Sequence, residues 1–114
     1  MLRRFALLLL LLAPGAARAD DFVPGTEDVP LMPGLAPVVG SSLVFDKPEG
    51  RIIEAQARGA VSRSAVSAFY EASLPQLGWK AAGVGAWRRE TELLRLDFHG
   101  RDGALTVGFT LRPH

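Results

Sequence analysis

Hydrophobic and polar positions alternate most cleanly in the last part of the chain. In "ELLRLDFHG" Leu94, Leu96 and Phe98 oppose Arg95, Asp97 and His99, and in "ALTVGFTLRP" Leu105, Val107, Phe109 and Leu111 oppose Thr106, Gly108 and Thr110. A period of two belongs to a strand with one buried and one wet face. Two antiparallel strands are therefore predicted, joined by "GRDG" at 100–103, whose outer glycines accept turn angles that other residues resist. "WKAA" and "GAWRRE" before them complete a meander. Upstream, "SLVFD" and "RIIEAQARG" flank "KPEG". Pro48 suits the second position of a tight turn and Gly50 its last, which predicts a hairpin with strands near 43–46 and 51–59. In its second strand Ile53, Ala55 and Ala57 share one face while Ile52, Glu54, Gln56 and Arg58 share the other.

Between hairpin and meander the period changes. Val66, Phe69, Tyr70, Ser73, Leu74 and Leu77 recur three and four residues apart, the stripe of an amphipathic helix about a dozen residues long. Ser62 or Ser64 is placed to cap it by accepting from a free backbone N–H. Pro75 removes a helical hydrogen bond and clashes with the preceding turn, so the helix should end near Ser73 or Leu74. Gly78 then supplies a left-handed cap and Trp79 opens a strand. "FYEASLPQLGW" (69–79) is thus read as a helix-to-strand corner with Leu74, Leu77 and Trp79 in the core. Tyr70 is expected at the edge, where its hydroxyl meets water or a partner.

The span 20–40 follows neither period. Prolines at 24, 30, 33 and 37 and glycines at 25 and 34 prevent regular pairing and helix continuation. "VPLMPGLAPVV" is nonetheless apolar, unlike a disordered linker. Such an arm has two possible beds, the edge of its own core or the surface of a partner, and Val29, Leu31, Met32 and Leu35 are the candidate docking residues in the second case. The elements together predict an α+β two-layer sandwich over 41–114, in the order β-β-α-β-β-β with room for one more strand, its single helix packed on one face of an antiparallel sheet.

At the N-terminus, Arg3 and Arg4 precede an apolar run from Phe5 to Ala13, then Pro14-Gly15 and Ala17-Arg18-Ala19. That is the layout of a cleaved secretory signal peptide over 1–19, and the run is too short for a spanning helix of roughly 20 apolar residues. Export to a bacterial periplasm is expected, with no integral membrane segment after cleavage. The chain has no cysteine, which removes disulfides and lipid attachment at the cleavage site. Loss of Arg3, Arg4 and Arg18 leaves 10 of the 13 basic residues against 12 acidic ones, a net charge near −2. A nucleic-acid partner has no electrostatic footprint in that balance. Arg88 and Arg89, beside Trp87, read as a solvated strand face, with stacking on a base or sugar as the alternative.

Catalytic chemistry finds little support. Cysteine nucleophiles are impossible, and His99 and the terminal His114 are the only histidines. Asp97 and His99 share a strand face, about 6.6 Å apart along the backbone, with no Gly-x-Ser-x-Gly elbow. With Asp102 they fall short of metal-ligand number and spacing, and no cofactor motif occurs: "GVGAWR" lacks the third glycine and following helix of a phosphate loop. Glu90 and Glu92 are solvated acids on one strand face.

"VSAFYEASLPQLGW", the Trp-Arg-Arg-Glu strand after it and the alternating "LRLDF" and "LTVGF" pair resemble a family of small uncharacterised exported domains of proteobacteria. The resemblance runs from about Phe45 to Pro113 and includes "FDKPEGRI". It implies the fold and the periplasmic setting, and carries over no catalytic or binding residue. The expected function is a non-catalytic periplasmic binding or accessory module that contacts an envelope protein through the polar sheet face, a strand edge or the arm. The alternative is a small-ligand or weakly hydrolytic site in a pocket near Tyr70, Trp87, Arg95 and His99.

Overall fold

The computed structural model describes residues 21–114, so the predicted signal peptide lies outside the described residues. Seven strands form one antiparallel sheet: β1 (Ala36–Pro37), β2 (Leu43–Lys47), β3 (Gly50–Gly59), β4 (Lys80–Ala81), β5 (Ala86–Arg89), β6 (Glu92–Arg101) and β7 (Ala104–Pro113). Among the described residues one helix, α1 (Arg63–Ser73), and a 3₁₀ turn (Pro75–Leu77) stand between β3 and β4. The strand order is β1-β3-β7-β6-β5-β4. β2 also pairs with β3, through Leu43↔Glu54 to Lys47↔Gly50. β7 occupies the other side of β3 over Ile53 to Gly59, so β1 and β2 lie end to end along one outer edge.

The alternation sorts side chains between faces as predicted. Ile53, Ala55, Ala57, Leu94, Leu96, Leu105, Val107, Phe109 and Leu111 are buried, while Glu54, Gln56, Arg58, Arg95, Asp97 and His99 are exposed. The long β6–β7 pair runs in register from Glu92↔Pro113 to Arg101↔Ala104 and forms the centre of the sheet.

The α+β two-layer sandwich does not form; the fold is dominated by its sheet. The reason is one of length. α1 has 11 residues, about 16 Å at the rise of a helix, whereas β6 and β7 have 10 each, about 33 Å. Pro75 ends the helix before it can span the sheet. Its buried residues Val66, Tyr70 and Leu74 cover only part of the apolar face, and Val23, Val29, Leu31 and Leu35 of the arm join the same core cluster. Part of the cover is therefore irregular chain, and the described residues form no helical layer.

Local signals in the corner operate as read. Ser62 caps α1, its hydroxyl accepting from the Ala65 N–H at 3.1 Å. Gly78 adopts φ 94°, and its neighbour Trp79 donates its backbone N–H to the Leu74 carbonyl. Trp79 is buried as predicted, but Leu77 is 43 % exposed. The 3₁₀ turn that Pro75 imposes rotates Leu77 off the stripe.

Candidate functional site

The arm residues lie in the domain's own core. Val29, Leu31 and Leu35 are buried and Met32 packs partly against them. The arm folds back through a bridge between Phe22 and Pro30, and through Val23 N–H to Val29 C=O and Leu31 N–H to Asp21 C=O hydrogen bonds. Tyr70 fastens it. Its hydroxyl donates to the Pro30 carbonyl at 2.7 Å and accepts from the Met32 N–H at 3.3 Å. Far from sitting at a wet edge, Tyr70 is 1 % exposed, and burial pushes its pKa well above the usual tyrosine range. Its phenol supplies a partner for backbone groups of the arm that lie outside the β1 ladder.

A second fastening comes from Arg89. Its guanidinium lies 4.3 Å from the centroid of the Trp79 ring, ion-pairs with Asp28 of the arm, and donates to the Leu77 carbonyl. This arginine is therefore a strut between arm, corner and β5, and its flat cation suits a stack with a bridge on its rim. Arg88 is exposed. Glu90 stands in the β5–β6 turn at φ 53°, while Glu92 on β6 bonds Arg51 at 3.0 Å, so the two acids do not form a catalytic pair.

The pocket expected near Tyr70, Trp87, Arg95 and His99 is divided by the sheet. Tyr70 and Trp87 line an apolar cleft of about 480 Å³ between α1 and the β4–β5 hairpin, together with Leu96 and Phe98. Arg95 and His99 point to the opposite face, because they alternate with Leu94, Leu96 and Phe98. There Asp97 and His99 border a shallow depression with Glu54, Gln56 and Thr110. His99 Nε2 is 3.0 Å from Asp97 Oδ1. Side chains two residues apart lean together across a gap opened by Gly108, directly opposite Asp97. Both partners are more than half exposed, and among the described residues no serine or threonine hydroxyl is hydrogen-bonded to His99. Among the described residues no three His, Cys, Asp or Glu side chains converge as a metal-binding set. No described helix is long and apolar enough to cross a membrane.

The most exposed apolar surface of the sheet is the β2 edge. All five of its residues are exposed, and three adjacent ones are large and apolar: Leu43 (50 %), Val44 (54 %) and Phe45 (52 %). Among the described residues no strand pairs with its outer side. The other strands on sheet edges are protected in ordinary ways. β1 has two residues, one of them Pro37, and β4 has two, one of them Lys80. Short length, proline and charged residues, lysine above all, are the usual means of blunting an edge; β2 has its two charges, Asp46 and Lys47, together at its turn end, which leaves Leu43 to Phe45 unguarded. The signal was present in "LVF": consecutive apolar residues at the first strand of a hairpin have no alternation to hide them.

These features define a small antiparallel-sheet domain with one helix, an arm buried in its own core and one open apolar edge. Comparisons with protein families, with curated proteins and with solved structures find no match to this chain.

Proposed function

We propose that this domain is a non-catalytic binding module, exported to the periplasm, which engages a partner protein by adding a strand to the free edge of β2. The single observation that carries this reading is the unpaired row Leu43-Val44-Phe45, exposed on both faces of the strand. An edge strand offers backbone donors and acceptors that an extended partner can satisfy, while alternate side chains add apolar contact. Of the three surfaces expected to dock, the arm has the weakest support, because its apolar residues pack in the domain's own core.

The small-ligand reading keeps one specific support, the cleft between Trp87, Tyr70, Leu96 and Phe98. Its hydrolytic version loses its geometry, since Arg95 and His99 lie across the sheet from Trp87 and Tyr70.

The test is a photo-crosslinking amino acid placed at Val44 in the protein exported by its own host, with Val84 as a control. Val84 is fully exposed on the β4–β5 turn, away from the edge. An adduct at position 44 that is absent at 84 and lost with Phe45→Lys is the expected result. Adducts at 84 but not at 44 would overturn the reading.

A further inference from the structure

We infer that the strand filling the β2 edge is β2 of a second copy of this chain, paired antiparallel about a two-fold axis through Val44. The inference rests on the edge-binding reading and names its occupant. Two identical edges related by a two-fold present the same backbone pattern to each other, so an isologous contact needs no further complementarity in hydrogen bonding. Side chains decide the register. Leu43 and Phe45 stand opposite Glu54 and Ile52, on the open face of the sheet, and Val44 stands opposite buried Ile53. A two-fold at Val44 puts Leu43 beside Phe45 of the second copy on the open face and Val44 beside its own equivalent on the core side. Every central pair is then apolar. Asp46 meets Ser42 of the second copy, whose hydroxyl can donate to it.

The neighbouring registers are worse. A two-fold at Phe45 sets Val44 against Asp46 and Leu43 against Lys47, stripping water from two charges without a partner. A two-fold at Asp46 opposes two like carboxylates, which is destabilising in a directly facing pair. A net charge near −2 for the processed chain, counted from its basic and acidic residues, puts little long-range repulsion between copies. The contact is small. Five residues make a strand about 17 Å long, and three half-exposed apolar side chains per copy give an interface at the low end of the specific range, under about 1,200 Å². The dimer is accordingly expected to be weak, with a dissociation constant on the order of micromolar or above.

The absence of cysteine makes the test clean, because an introduced thiol has no other thiol to pair with. Opposed residues in an antiparallel pair have Cα atoms about 4.5–5.5 Å apart, within the reach of a disulfide. The full chain, expressed and purified as the cell processes it, is measured by sedimentation equilibrium from about 1 to 200 µM, a range that spans micromolar constants. Val44→Cys and Val84→Cys are oxidised in parallel. Expected are a monomer–dimer equilibrium, a disulfide dimer at 44 formed at least about tenfold faster than at 84, and about tenfold or greater weakening with Val44→Lys, whose charge must be desolvated. Circular dichroism of Val44→Lys should match the parent, since the side chain is half exposed. A monomer at 200 µM with no faster oxidation at 44 overturns the second-copy inference. If position 44 then still gives a photo-adduct with another protein, the edge-binding reading survives alone; if it gives none, both fall.

Discussion

Replacing Tyr70 with phenylalanine removes one oxygen and keeps the ring, so it isolates the fastening between helix and arm. The lost hydroxyl leaves the Pro30 carbonyl and the Met32 N–H without their partner. A buried backbone group deprived of its hydrogen bond costs about 1–3 kcal/mol. Both groups are only part-buried, which favours the lower end and gives about 2–3 kcal/mol in all. A domain of this size has a total stability of roughly 5–14 kcal/mol, at about 0.05–0.15 per residue, so the change is large. With a urea slope near 1 kcal/mol/M for a small domain, the midpoint should fall by about 2–3 M. Limited proteolysis supplies the local readout: cleavage within 24–37 should accelerate before global unfolding, because the arm has lost one of its two fastenings. A midpoint shift below about 0.3 M by the same slope, with arm cleavage unchanged, would refute the claim that Tyr70 holds the arm.

The same phenol sets a pH dependence. Its folded pKa is raised above the ordinary value of 10.0 by burial, so its contribution is complete below pH 10 and is lost as pH rises beyond it, where the unfolded state releases the proton more readily. Urea midpoints should decline above pH 10 in the parent, and the part of that decline due to Tyr70 should vanish in Tyr70→Phe. Two glycine substitutions should separate sharply in thermal melts. A Cβ at Gly59 would stand 2.0 Å from the Gly34 carbonyl oxygen, backbone against backbone, so Gly59→Ala should cost several kcal/mol, on the scale of a strained overpacking. A Cβ at Gly108 would meet only the Asp97 carboxylate at 2.6 Å, a side chain free to swing into solvent. Although Gly108 is buried, the group its Cβ would meet can move aside, so Gly108→Ala should cost about 1 kcal/mol, the low end of overpacking, while parting Asp97 from His99, visible as altered His99 ring resonances.

How much of this was legible beforehand depends on the range over which each residue acts. The β6–β7 pair, the 47–50 turn, the cap at Ser62 and the stop at Pro75 are local consequences of side-chain period, hydrogen-bonding capacity and ring geometry, and each was read from its own neighbourhood. Leu77 departs from its helical stripe because its burial depends on how a 3₁₀ turn rotates the chain after Pro75, a rotation that the stripe cannot express. Arg89 gave no hint of its role: its partners Asp28 and Trp79 lie 61 and 10 positions away, and only folding brings them together.

The sequence alone determined which faces are apolar, because alternation is a property of consecutive residues, and it determined that cysteine chemistry is closed to this protein. What covers the apolar face could be decided only in three dimensions. An 11-residue helix and an arm of prolines both carried apolar residues for that face, and their shares were set by the length of sheet left over once the helix had stopped. The separation of Tyr70 and Trp87 from Arg95 and His99 has the same origin, since residues near in sequence fall on opposite sides of a pleated sheet. The free edge at β2 is likewise a tertiary fact: a strand is central or peripheral only with respect to what packs beside it.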